Sequence, residues 1–149
     1  MKKSAFPAFA LFCGLALNTP TYAQTSSQIT TPTQHFGFTP GTERMLFNYQ
    51  PLVDYLMKVD EQSERVKMIE IGKSPMGRKM YICFVSTAEN IENLDLLREI
   101  NKTLALDSTL TQAKRQKLAE EGKVFILATH SMHSTEVGPA QSVPLLVHR

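Results

Sequence analysis

Apolar positions recur along this chain at two periods, and the change from one to the other divides it into elements. Tyr49, Leu52, Val53, Leu56 and Val59 return every three or four positions, the spacing of one helix face. That stripe predicts a helix from Thr42 or Asn48 to Val59. Pro51 is acceptable there only within a first turn, where a missing N–H costs no intrahelical bond. Tyr49 and Tyr55 are read as packing residues rather than substrate contacts. Val66–Ile71 and Met80–Val85 are instead rich in β-branched and apolar residues and predict two strands joined as a hairpin. Ser86-Thr-Ala-Glu89 has the spacing of a capping box. Ile91, Leu94, Leu97, Ile100 and Leu104 continue behind it as a helix. A further helix is expected from Thr111 to Glu121, stopped at Gly122, with Lys114, Arg115, Lys117, Glu120 and Glu121 as its solvated face. The run Val124 to Ala128 is apolar throughout, as a strand buried on both faces would be. Gly138-Pro139 then suits the opening of a last helix.

The order helix, hairpin, helix, helix, strand, helix mixes antiparallel and crossover connections. It predicts an α/β fold with a mixed parallel/antiparallel sheet flanked by helices. Open sheets of this kind take their ligands beyond the carboxyl ends of the strands. The polar segment after Val124–Ala128 falls there and carries His133 and Glu136, spaced His-x-x-Glu. An imidazole and a carboxylate three residues apart can face one cation, and zinc accepts both donor types. His130 lies three residues earlier. A shared face with His133 and Glu136 would need a helix through 130–136, whereas 124–129 reads as a strand, so His130 is assigned a supporting role rather than a ligand's. His35 and His148 have no partner in the pattern.

Two segments together resemble the zinc carboxypeptidase family, the carboxypeptidase A-like metallopeptidases. One is His133-x-x-Glu136 behind its apolar run. The other is the turn Gly72-Lys-Ser-Pro-Met-Gly-Arg78, which matches a Gly-x-Ser-x-x-Gly-Arg turn between the family's first two strands at Gly72, Ser74, Gly77 and Arg78. The turn reads as structural: its glycines supply positive φ, and Ser74 and Arg78 tie it down. The resemblance implies that residues 41–149 are the N-terminal portion of a truncated zinc-carboxypeptidase-like catalytic domain. It implies zinc as cofactor, His133 and Glu136 as metal ligands, and a peptide or protein substrate hydrolysed by a zinc-activated water. The family's third ligand, its general-base Glu and the Arg and Tyr residues that hold the substrate carboxylate lie farther downstream. They have no counterpart here, so no catalytic residue is assigned and the 149-residue chain is expected to be inactive alone. Thr135 stands where several members carry Arg, which opens the substrate type. The alternatives are a zinc-dependent deacylase of the aspartoacylase-like branch, or a non-catalytic binding module on the same fold.

Residues 1–23 read as a signal peptide: Lys2 and Lys3, the mostly apolar Ala5–Leu17, then Thr21-Tyr-Ala23 with small residues at the cleavage positions. The apolar run is too short to span a bilayer, so the protein is expected to be exported to the periplasm or outside the cell, free of the membrane after cleavage. Removing the leader takes the 16 Lys+Arg to 14, level with the 14 Asp+Glu, and no basic patch remains to suggest nucleic acid. Cys13 leaves with it. Cys83 alone follows, within Met80-Tyr-Ile-Cys-Phe-Val85, and reads as a core thiol rather than a nucleophile. Residues 24–40, opening with Thr, Ser and Gln and continuing through Gly37 and Pro40, read as a flexible lead-in. N-terminal sequencing of protein recovered from outside the cytoplasm should begin at or near Gln24; a secreted chain still starting at Met1 would refute the leader.

Overall fold

The computed structural model describes residues 28–149. They run α1 (Pro32–Phe36), α2 (Tyr49–Gln62), β1 (Val66–Lys73), β2 (Lys79–Val85), α3 (Ala88–Glu92), α4 (Leu94–Leu106), α5 (Gln112–Glu121) and α6 (Val137–His148). The expected signal peptide lies outside the described residues. The described part of the lead-in is ordered, contrary to the flexibility expected of 24–40. Thr31 and Gln34 form a reciprocal capping box, Thr31 Oγ1 accepting from the Gln34 amide and Gln34 Oε1 from the Thr31 amide. Gly37, at φ 75°, closes the helix in the left-handed region. A stretch whose composition suggests disorder is thus held by its own side chains, and Ile29 and Phe36 pack on the core.

The stripe on α2 is buried at Val53, Leu56 and Val59, whereas Tyr49 at its start is 41 % exposed and Tyr55, outside the stripe, is the most deeply covered. Tyr55, Leu56 and Val59 are buried and form one cluster with Val66 and Met68 of β1. Pro51 sits in the first turn. Tyr55 is fully covered at 0 % exposure, flanked by His35 and Phe36; Phe36 in turn stacks on Phe47 with ring centroids 4.2 Å apart. Asp60 joins the layers, its Oδ2 accepting from the Met68 amide at 3.2 Å.

β1 and β2 pair antiparallel as expected, Met68 opposite Cys83 and Ile69 opposite Ile82. Residues directly opposite share a face, so Val66, Met68 and Cys83 look toward α2 while Ile69 and Ile82 look away. The register shifts between Glu70 and Gly72, and Gly72 adopts φ 132° there, which only glycine takes readily. In the turn the Ser74 amide donates to the Arg78 carbonyl at 2.8 Å, and Ser74 Oγ accepts from the Arg78 amide at 3.2 Å. The Gly72–Arg78 segment therefore closes through backbone and Ser74, without the Arg78 side chain.

The capping box expected at Ser86 does not form, and the helix is capped one residue later. Thr87 is the N-cap and Ser86 Oγ accepts from Asn90 Nδ2. The single helix expected behind it is broken at Asn93 into α3 and α4. Leu97 and Ile100 are the buried positions of α4. α5 packs on α4 and ends at Gly122, whose φ is −73°. Glycine is needed there for space rather than for φ: a Cβ would come within 2.9 Å of Ile100 Cγ2 and 3.0 Å of the Leu118 carbonyl.

The structure departs from the sequence reading most at Val124–Ala128. This segment is not a strand and is not buried; Val124 is 89 % and Ile126 90 % exposed. A strand exists only through a partner, and among the described residues the sheet consists of β1 and β2 alone. The segment touches it through Phe125, edge-on to Phe84 at 6.2 Å. The molecule is a small α/β fold, a two-stranded antiparallel sheet with helices. α6 lies against α1 and α2, with Val143 and Val147 on the core and Pro139 in its first turn, as expected.

Cys83 is half-buried against the core, and burial, seconded by the nearby Asp60 charge, pushes its thiol up to about 11. The folded state thus holds this proton more tightly than the unfolded chain. Stability should be unaffected by this group below pH 9 and fall as pH rises from about 9 to about 11; urea midpoints measured across that range should show the fall, and Cys83→Val should remove it. At neutral pH the native thiolate should be about a hundredfold scarcer than in the denatured chain, so alkylation of the Cys83 peptide should slow by about that factor. Equal labelling of native and denatured protein would contradict it.

Candidate metal centre

His133 and Glu136 are brought together, and the local chain explains how. The segment from Ser131 to Glu136 is a tight turn that ends at α6, with Glu136 as N-cap residue. The Glu136 amide donates to the His133 carbonyl at 3.0 Å. The Ser131 hydroxyl reaches both the His133 carbonyl at 3.1 Å and the Glu136 carbonyl at 3.2 Å, folding the segment into a loop. Glu136 does not cap α6 with its side chain. The carboxylate turns back instead: Oε2 accepts from the amides of Met132 at 3.0 Å and His133 at 3.1 Å. Oε1 is left for His133 Nδ1, 2.6 Å away.

These contacts fix the charge state. The His133 ring bond, then the Met132 and His133 amides, hold the Glu136 carboxyl below the ordinary glutamate range. An ionised carboxylate cannot donate, so the proton in the short contact belongs to Nδ1. Both side chains are open to solvent, 68 % exposed at His133 and 43 % at Glu136.

The donor types suit zinc, but the present spacing suits a proton. Zinc lies about 2.0–2.2 Å from imidazole nitrogen and carboxylate oxygen, so a tetrahedral ion bound to Nδ1 and Oε1 would hold them ~3.4 Å apart. The 2.6 Å contact must therefore open by under ~1 Å, with loss of the Nδ1 proton, as ligand deprotonation requires. His130 does not join the pair; among the described residues no group of three His, Cys, Asp or Glu is placed to hold a metal. His35 is engaged elsewhere, its Nε2 3.1 Å from the Pro51 carbonyl. The residue that the sequence reading missed is Ser131. Its signal was a serine two positions before the turn's histidine, the usual place for a hydroxyl that closes a turn.

Removing the imidazole should return the Glu136 carboxyl part of the way to its ordinary range, because the His133 ring is the largest cause of the shift, while the two amides keep the rest. The turn is stabilised by the ionised carboxylate above the ordinary glutamate value, and that contribution is lost as pH falls through the lowered one. Carboxyl NMR titration of the wild type and His133→Ala checks this; identical titrations would dissolve the pair. No family model, no curated protein and no solved structure matches the chain.

Proposed function

We propose that this chain is part of an exported zinc metallopeptidase of the metallocarboxypeptidase type, acting on peptide or protein substrates, with His133 and Glu136 as two of the zinc ligands. The observation that carries the reading is the paired His133–Glu136 turn, with its carboxylate ionised and its imidazole beside it, directly behind the apolar run Val124–Ala128. The Gly72–Arg78 turn, resembling the same family's, supports it. In this proposal Val124–Ala128 is a strand of a larger mixed sheet, which would account for five successive apolar positions on a segment that is exposed here.

The roles of this chain's residues follow from their contacts. The His133 ring and the amides of Met132 and His133 orient the Glu136 carboxylate and hold it deprotonated, as supporting hydrogen bonds commonly do around metal ligands, while Ser131 closes the turn through the His133 and Glu136 carbonyls. Glu136 in turn places the His133 ring. Zinc, when bound, would polarise a peptide carbonyl and lower the pKa of a bound water. The described residues supply two donors of the three that a catalytic zinc takes from protein, so this chain by itself should bind zinc weakly and hydrolyse nothing.

Zinc titration followed at the His133 ring nitrogens and the Glu136 carboxyl should move both signals together. His133→Ala and Glu136→Ala should each abolish the response. His130→Ala should change zinc affinity by no more than ~10-fold, the lower range for a supporting residue. A His130→Ala protein that loses zinc, beside a His133→Ala protein that keeps it, would overturn the assignment.

A further inference from the structure

α2 begins beside the hairpin turn, and the two leave a cleft of about 530 Å³ lined by Asn48, Tyr49, Gln50, Arg78, Lys79 and Tyr81. That volume lies within the range of small-ligand sites. Its polar groups divide into those already engaged and those left over. Tyr49 Oη donates to the Lys79 carbonyl at 2.9 Å, joining α2 to β2 and fixing one wall. The Gln50 carboxamide is held by Asp54 at 2.7 Å, and the Lys79 ammonium lies 2.8 Å from Glu70. The Arg78 guanidinium, by contrast, has no carboxylate within ion-pairing distance among the described residues. Its amide and carbonyl close the turn onto Ser74, so its side chain is spare. The Asn48 carboxamide makes no cap bond, and the Tyr81 hydroxyl makes no hydrogen bond among the described residues. Tyr49 and Tyr81 stand close enough that the charge of one phenolate would disfavour the other, which adds to burial in holding the Tyr49 phenol up.

We propose that this cleft binds a small aromatic monocarboxylate, its carboxylate taken by the Arg78 fork and its ring by Tyr49 and Tyr81. A guanidinium offers parallel N–H donors that match a carboxylate in both charge and plane, and aromatic walls favour a flat apolar body over a bare ion. One uncompensated positive charge matches one negative charge. A phosphate dianion would bring a second, close to Glu70, whose charge Lys79 already balances. The cleft shares no residue with the His133–Glu136 turn, so this inference stands or falls apart from the zinc reading.

The chain has no tryptophan, so the ring signals of Tyr49 and Tyr81 are readily followed by NMR with the Arg78 Nε–H. Benzoate titrated into the full chain should move all three together, and neutral benzamide should leave them in place. Arg78→Gln should weaken benzoate binding at least about tenfold by removing a charge-assisted bidentate contact. Arg78→Lys, which keeps the charge without the fork, should fall between. Unchanged Tyr55 signals would show the fold intact in each variant. Benzamide binding as well as benzoate, or unaltered affinity in Arg78→Gln, would overturn the site; displacement of benzoate by an equal concentration of inorganic phosphate would overturn the ligand class.

Discussion

The structure depends on one apolar contact, the seating of α2 on the inner face of the hairpin. Tyr55, Leu56 and Val59 cover Val66 and Met68, and full burial of each aliphatic side chain is worth about 1.5–3 kcal/mol. A two-stranded sheet is marginal in water without a helix or further strands on one face, so β1 and β2 persist because α2 covers them. The chain between the two layers is short, Ser63 to Arg65, which keeps the entropy of bringing them together low. The remaining elements add to this unit: α1 and the Phe36–Phe47 stack at one end of α2, α6 through Val143 and Val147. Surface ion pairs such as Lys79–Glu70 add little, typically under ~1 kcal/mol each.

Side-chain hydrogen bonds to the backbone hold the corners of this fold. Asp60 reaches the Met68 amide across the α2–β1 corner. Asn101 reaches back to the Leu97 carbonyl and across to that of Lys123, holding the chain where it leaves α5. The same economy shapes the candidate metal centre. Every hydrogen bond to the Glu136 carboxylate among the described residues comes from Met132 and His133 of the same turn, so the pair is a property of the turn rather than of distant packing.

What could be read from the sequence follows the same division between local and non-local causes. The α2 stripe and both strands were legible because periodicity reports which face is buried. The turn at Gly72–Arg78 was legible because glycine has few uses besides a positive φ, and Gly72 and Gly77 both take one. The order in 28–40 was not, because a capping box is a reciprocal pair of hydrogen bonds hidden in a Thr- and Gln-rich composition. The break at Asn93 was not, since the apolar spacing continues through it. Gly122 was placed correctly for the wrong reason, as its neighbour Ile100 lies twenty-two residues away in the chain and no local pattern contains it. For the candidate centre, the pairing of His133 with Glu136 was legible as spacing, whereas Glu136 turning back onto the amides of Met132 and His133 was not.

Val124–Ala128 shows the limit of pattern most clearly. Its composition states that the segment is to be buried and says nothing of what buries it. Here the segment has no regular secondary structure, with Phe125 against Phe84 and its other large side chains in solvent. An exposed apolar stretch of this kind calls for a cover, since folded chains rarely leave one open. It also sets how well the candidate centre is held. Sites built on paired strands or helices are more exact than those on free segments, and Ser131–Glu136 hangs between an unpaired run and α6. The turn fixes the His133 ring against the Glu136 carboxylate unaided, while among the described residues no strand pairs with Val124–Ala128 to fix where that pair points. Under the proposed zinc reading, a strand partner and a third metal donor would be linked requirements, because the ordering that buried the apolar run would also aim the two donors at a common point.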